Sequence, residues 1–230
     1  MNLSPKNQQN LYGLERMFNE FVDLYENKKL PTKILLSGQK GIGKSTLSYH
    51  LINYILSKDE EHSYDVYTNR INEQNHSFKL LLNGSNPNFF LIDIKPEKKF
   101  IEINQIRSLI EKLNKSSFNE KPRLVLIDNI EYLNINSINA LLKQLEEPGE
   151  NIHFFLINNG KKTLDTLNSR CLNYKISLSN KQVVEISNKL LKNDIYKIIN
   201  IDLLNYYITP GKIYDLVQFS NENKIDLKNL

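Results

Sequence analysis

With 230 residues, 40% hydrophobic and 24% charged, the chain has the make-up of a globular protein and room for one sizeable domain plus a small second one. No run approaches the ~18 to 20 apolar residues of a spanning helix, and the opening MNLSPKNQQN lacks the basic-then-apolar order of a signal peptide, so a soluble cytoplasmic protein with no membrane partner is expected. The formal charge of +4, with Lys mixed among Asp and Glu, is too small to announce nucleic-acid binding; the one cysteine, Cys171, can form neither an internal disulfide nor by itself a structural zinc site.

In chain order, Leu11, Leu14, Met17, Phe18, Phe21, Val22 and Leu24 fall near helical spacing and predict an opening helix over about Asn7 to Asn27, with Ser4-Pro5 as its start signal. After Pro31, the apolar run Lys33 to Ser37 reads as a strand buried on both faces of a parallel sheet. A glycine-rich loop, Gly38 to Ser45, follows directly, and Thr46 to Ser57 reads as a helix. From Lys58 to about Asn75 the chain is polar and poorly periodic, and no element is assigned there. Asn86-Pro-Asn88 punctuates a second strand over Phe89 to Ile94. Ile103, Ile106, Leu109, Ile110 and Leu113 share a face of a helix ending near Lys115, Arg123 to Asp128 is a third strand, and Ser137 to Glu147 is a helix stopped by Pro148-Gly149. Ile152 to Ile157 is a fourth strand, and Cys171 leads into another. Strands alternating with helices over this length predict a doubly wound parallel sheet. Beyond Leu178, amphipathic stretches near Asn180 to Leu191, Ile195 to Tyr207 and Gly211 to Phe219 read as a small helical domain.

The run Gly38-Gln39-Lys40-Gly41-Ile42-Gly43-Lys44-Ser45 fits the Walker A pattern in full and sits between a predicted strand and helix. Glycines are needed there because backbone N–H groups must close around phosphates without Cβ atoms in the way. The following helix, opening at Thr46, turns its positive end toward the same charge. Lys44 is placed to reach the β and γ phosphates, and Ser45 to ligate Mg²⁺. Asp128 ends an apolar strand, where an aspartate can hold Mg²⁺ at the carboxyl edge of the sheet; a turn-starting Asp is the competing reading, as is a folded loop that no longer takes nucleotide. In hydrolysing enzymes of this architecture the next residue is commonly a glutamate that orients water. Here it is Asn129, which can hydrogen-bond a water but cannot accept its proton, and Glu131 falls on the following turn.

Together with Asn139-Ala-Leu-Leu-Lys-Gln-Leu-Glu-Glu-Pro148, Ser169-Arg-Cys171 and Asn86-Pro-Asn-Phe-Phe90, these residues closely resemble the clamp-loader subunits of bacterial DNA polymerase III, which are AAA+ proteins, and among them the delta-prime type. The resemblance covers about Leu11 to Phe219. It implies a P-loop NTPase sheet flanked by helices over residues 1–177, then a small all-helical lid over 178–230, with ATP and Mg²⁺ as the bound species. It implies motor and delta-type clamp-loader subunits as partners, with the sliding clamp and primer-template DNA reached through the assembly. By this resemblance Arg170 is an arginine finger acting in trans on a neighbour's γ-phosphate, Asn158 matches a first sensor position and Lys212 a second; a turn asparagine and a surface lysine are the competing readings of the last two.

The sequence also departs from the family. Asn129 puts hydrolysis by this chain in doubt, the segment Glu60 to Asn86 has no Cys for a zinc module, so no zinc is expected, and Leu230 comes before a collar domain could form, so either the collar is missing in this lineage or the sequence is truncated. A self-sufficient P-loop ATPase and a nucleotide-free structural subunit stand as alternatives. His50, His62, His76 and His153 share no ligand spacing and are expected to be solvated or packed. Tyr206 and Tyr207 are expected to supply core rather than to stack on bases, and Cys171 to be a small buried hydrophobe.

Overall fold

The computed structural model describes residues 3–117, 119–160, 165–204 and 208–229. Its centre is a parallel sheet of β1 (Lys33–Ser37), β2 (Phe89–Ile92), β3 (Arg123–Ile127), β4 (Ile152–Asn158) and β5 (Leu172–Lys175), in the order β2-β3-β4-β1-β5. Successive side chains of a strand point to opposite faces. Accordingly Ile34, Leu36, Leu124, Leu126, Phe155 and Ile157 join one buried cluster, and Leu35, Val125, Ile127, Phe154 and Leu156 join another. Both faces are covered, which is why these strands are unbroken apolar runs.

One face is covered by α1 (Glu15–Glu26), α2 (Lys44–Ser57) and α3 (His76–Asn83) through Phe18, Phe21, Leu47, Leu51, Phe78 and Leu81. The other carries α4 (Ile103–Leu113) and α5 (Ile135–Glu146), which bury Ile106, Leu109, Ile138, Leu141 and Leu145. Full burial of a side chain of this size contributes about 2 kcal/mol relative to exposure. A short α6 (Asp165–Asn168) precedes β5, and beyond it the described elements are helices: α7 (Asn180–Leu191), α8 (Ile195–Ile198), α9 (Ile201–Leu204) and α10 (Pro210–Asn223). Val183, Ile186, Ile195, Ile213 and Val217 join the same cluster as α1 to α3, so α10 is held against the sheet's α2 side. Among the described residues no helix is long and apolar enough to cross a membrane.

Several boundaries differ from the sequence reading. The first long helix begins at Glu15 rather than near Asn7, because the preceding residues pair with a later loop: Ile71 N donates to Gln9 O (2.8 Å) and Leu11 N to Asn69 O (3.2 Å). Leu11 and Leu14 are buried all the same. Helix α3 was not assigned from the sequence; the Asn75 side chain caps it by accepting from Phe78 N at 2.7 Å, and Phe78 and Leu81 are its buried apolar residues. The stretch from Ile195 breaks at Ile199, whose backbone is extended, into α8 and α9. Tyr206 and Tyr207 lie outside the described residues.

Candidate functional site

Strand β1 delivers the chain at Ser37 to the carboxyl edge of the sheet, and α2 leaves it at Lys44 with Gly43 at its N-cap in a left-handed conformation (φ 95°). Gly41, at φ 89°, is also in the region that favours glycine, and a Cβ there would lie 2.5 Å from Thr209 Oγ1. Lys44 is buried (3% exposed), and its ammonium donates to Gly38 O (2.9 Å) and Gln39 O (2.6 Å). The Gly38 and Gln39 carbonyls thus hold the lysine in this structure. Burial pushes the Lys44 ammonium down to about 8, against the opposing pull of Asp128 and Glu131.

Ser45 Oγ donates to Asp128 Oδ2 at 2.5 Å, which joins the two side chains expected to hold Mg²⁺. Asp128 lies one residue past β3, with its N–H bonded to Ile92 O (2.9 Å). Burial holds its carboxyl above the usual range, partly offset by the Ser45 hydroxyl. A buried ammonium, a half-buried carboxylate, a hydroxyl and a loop that a Cβ would block together suit a nucleotide polyphosphate with Mg²⁺, an ion that takes one or two protein carboxylates and completes its shell with phosphate and water.

Asn129 has a left-handed backbone (φ 58°), and both ends of its amide are engaged. Its Nδ2 donates to Asp93 Oδ1 (2.8 Å) and its Oδ1 accepts from Asn159 Nδ2 (2.8 Å). Glu131 lies on the 3-10 turn Ile130–Tyr132, as the sequence indicated, and its Oε2 accepts from Asn159 N at 3.3 Å. Asp93 and Asn159 had no motif to announce them. Asn158, at the end of β4 beside Ser37, is buried and accepts from Gly160 N (3.1 Å), the arrangement of a turn asparagine.

The far wall comes from the start of α10. Thr209 Oγ1 donates to Lys40 O (2.7 Å), Gly211 N donates to Gly41 O (2.9 Å), and a Cβ on Gly211 would fall 2.9 Å from Gly41 Cα. A cavity of about 350 Å³ results, large enough to enclose a small ligand. The loop from Lys40 through Ile42 to Thr46, Asp128 and Lys212 line its polar side, and Leu11, Tyr12, Ile186 and Leu190 its apolar side. Below the loop, His50 of α2 is fully buried between Tyr64 Oη (2.8 Å) and Gln8 O (3.1 Å), with its imidazole pushed down to about 4 by burial.

Arg170 belongs to a different part of the molecule, between α6 and β5. Its Nε and Nη2 donate to Glu146 Oε1 (3.0 and 2.5 Å), and its Nη1 donates to Thr166 O (3.0 Å) and Ser169 Oγ (3.3 Å). The Arg170 and Glu146 side chains are 31% and 52% exposed. Cys171 beside it is buried, which raises its thiol to about 11 and keeps it unreactive.

The sequence profile of the family described as DNA polymerase III, delta subunit, matches residues 13–180. The chain belongs to that family. Relatives within it include the DNA polymerase III subunit delta' of Buchnera aphidicola subsp. Schizaphis graminum, 30% identical over 166 residues that make up 72% of this chain and 48% of that protein. The Escherichia coli subunit delta' is 26% identical over 67% of this chain and 45% of its own. These are clamp-loader proteins of the delta-prime type, and the chain spans about half the length of the delta' relatives it matches. Among solved structures, the RuvB Holliday junction branch migration motor of Thermotoga maritima has a TM-score of 0.54 at 14% identity, covering 97% of this chain and 69% of that one. A DNA polymerase III gamma subunit-related protein of the same organism has a TM-score of 0.50 at 17% identity, covering 94% and 73%. At these identities the two structures establish the AAA+ fold and nothing finer.

Proposed function

We propose that this chain is a delta-prime-like member of the DNA polymerase III clamp loader that binds ATP with Mg²⁺, hydrolyses it weakly or not at all, and supplies Arg170 to ATP held by a neighbouring subunit. Lys44 neutralises the β and γ phosphates, Ser45 and Asp128 hold the metal, and Lys212 approaches the same charge from α10. The metal supplies charge neutralisation at the phosphates. The motor and delta-type subunits are its direct partners, and it meets the sliding clamp and primed DNA through the assembly.

The observation that carries the weak-hydrolysis reading is Asn129: its amide is held between Asp93 and Asn159, at the position from which a glutamate would orient the attacking water. A nucleotide-free structural role is the second reading, and it is favoured by the hydrogen bonds that already fasten Lys40 O and Gly41 O to the start of α10. Equilibrium ATP binding and steady-state turnover on the whole chain separate the readings. The expected result is Mg²⁺-dependent binding, weakened about 30-fold in Lys44→Ala, with turnover at background. Sustained turnover by the chain alone would make it a self-sufficient ATPase, and no binding would make it a structural subunit.

A further inference from the structure

Arg170 is held in a way that its exposed position does not require. Two of its guanidinium nitrogens converge on a single oxygen of Glu146, and a third is anchored on Thr166 O, so the planar group is fixed rather than left to sweep through solvent. Glu146 is the last residue of α5. A negative charge there opposes the helix dipole, which favours cations at a C-terminus. The carboxylate therefore has a reason to keep a cation close, and it is followed by Glu147, which adds to the same negative field. Lys33 serves the helix end separately by donating to Leu145 O at 3.0 Å, so the end of α5 does not depend on Arg170 alone.

We infer that Glu146 is a positioning residue for Arg170: it holds the guanidinium at the chain's edge while the facing nucleotide site of a neighbouring subunit is empty, and releases it in exchange for that nucleotide's γ-phosphate. The inference rests on Arg170 acting in trans. The exchange breaks and makes hydrogen bonds only. A phosphate with more than one negative charge, and oxygens matched to the guanidinium fork, competes successfully with a single carboxylate. The pair is partly exposed, so the competing hold is modest, and pairs of this kind shift an equilibrium by at most about fivefold.

The test uses the full chain reconstituted with its clamp-loader partners, measuring ATP turnover against ATP concentration for the unaltered chain, Glu146→Gln, Arg170→Ala and the double variant. With the carboxylate gone the arginine is free for phosphate, so Glu146→Gln lowers the half-saturating ATP concentration about threefold with maximal turnover unchanged. In the Arg170→Ala background the same substitution has no effect. A structural role for Glu146 would instead lower the melting temperature and persist without the arginine. If Arg170→Ala slows turnover while Glu146→Gln leaves half-saturation where it was, or if the shift survives in the double variant, the positioning role is overturned and the finger stands. If Arg170→Ala changes nothing, the finger reading falls and this inference with it.

Discussion

At the carboxyl edge of the sheet, Lys44 is buried and Asp128 half-buried, and they are bonded to a loop and a strand end whose backbone positions are fixed by glycine and by the sheet. At the other charged centre, Arg170 and Glu146 sit at the outer end of α5, a third to a half exposed, and depend on each other. These two groups lie at least half out of water, where electrostatic interactions are stronger and rearrangement is costly, so they are suited to holding a ligand in one geometry. The exposed pair is weakly held and easily exchanged, which suits a group that must change partners.

Arg170→Ala gives the largest contrast. Turnover at the neighbouring site falls on the order of a thousandfold, while this chain's own stability changes by less than about 0.5 kcal/mol; single-turnover ATPase of the assembly and chemical denaturation of the isolated chain read the two. A large loss of stability would erase the contrast.

On the buried side, His50 carries the next effect. Its imidazole is neutral in the folded chain until about pH 4 and takes its proton near 6.5 when unfolded, so the unfolded state binds more protons between those values. Stability is therefore full above about pH 6.5 and falls by up to about 3 kcal/mol as pH drops toward 4. Urea unfolding across this range, repeated on His50→Gln, should show a flatter profile in the variant.

Lys44→Ala should weaken ATP binding by about 2 kcal/mol, the worth of hydrogen bonds to a charged group, as read by calorimetric titration. The smallest effect is a proton count. Since burial leaves Lys44 near 8, a bound polyphosphate restores its charge, and binding at pH 8 takes up about half a proton per nucleotide but almost none at pH 6.5. Titration in buffers of different ionisation enthalpy measures this, and no uptake at pH 8 would detach Lys44 from the phosphates.

The sequence was most legible where one short segment carries the whole signal. The loop from Gly38 to Ser45 is contiguous, its strand is apolar throughout, and Asp128 closes another apolar run, so local pattern placed them at one sheet edge. What joins Asn129 to its surroundings was not legible, because Asp93 and Asn159 stand 36 and 30 residues away and come together only through the strand order. Helix α3 was missed for a different reason: at 8 residues it completes too few turns to show a period, and its cap, Asn75, sits in a polar stretch that reads as loop. Glu146 was visible only as part of a run of residues, and its bond to Arg170 could not be read without the fold.

The contact between Gly41 and Gly211 gives the phosphate loop a mechanical load. With Gly211 N bonded to Gly41 O and no room for a Cβ on either residue, the loop and the start of α10 form a hinge with little play. Helix α10 has 14 residues, so it is a rod about 21 Å long, and each ~3° of tilt at the hinge displaces its far end by about 1 Å. The body of α10 is itself held through Ile213 and Val217, so a displaced loop has to carry α10 and the helices packed with it as one piece.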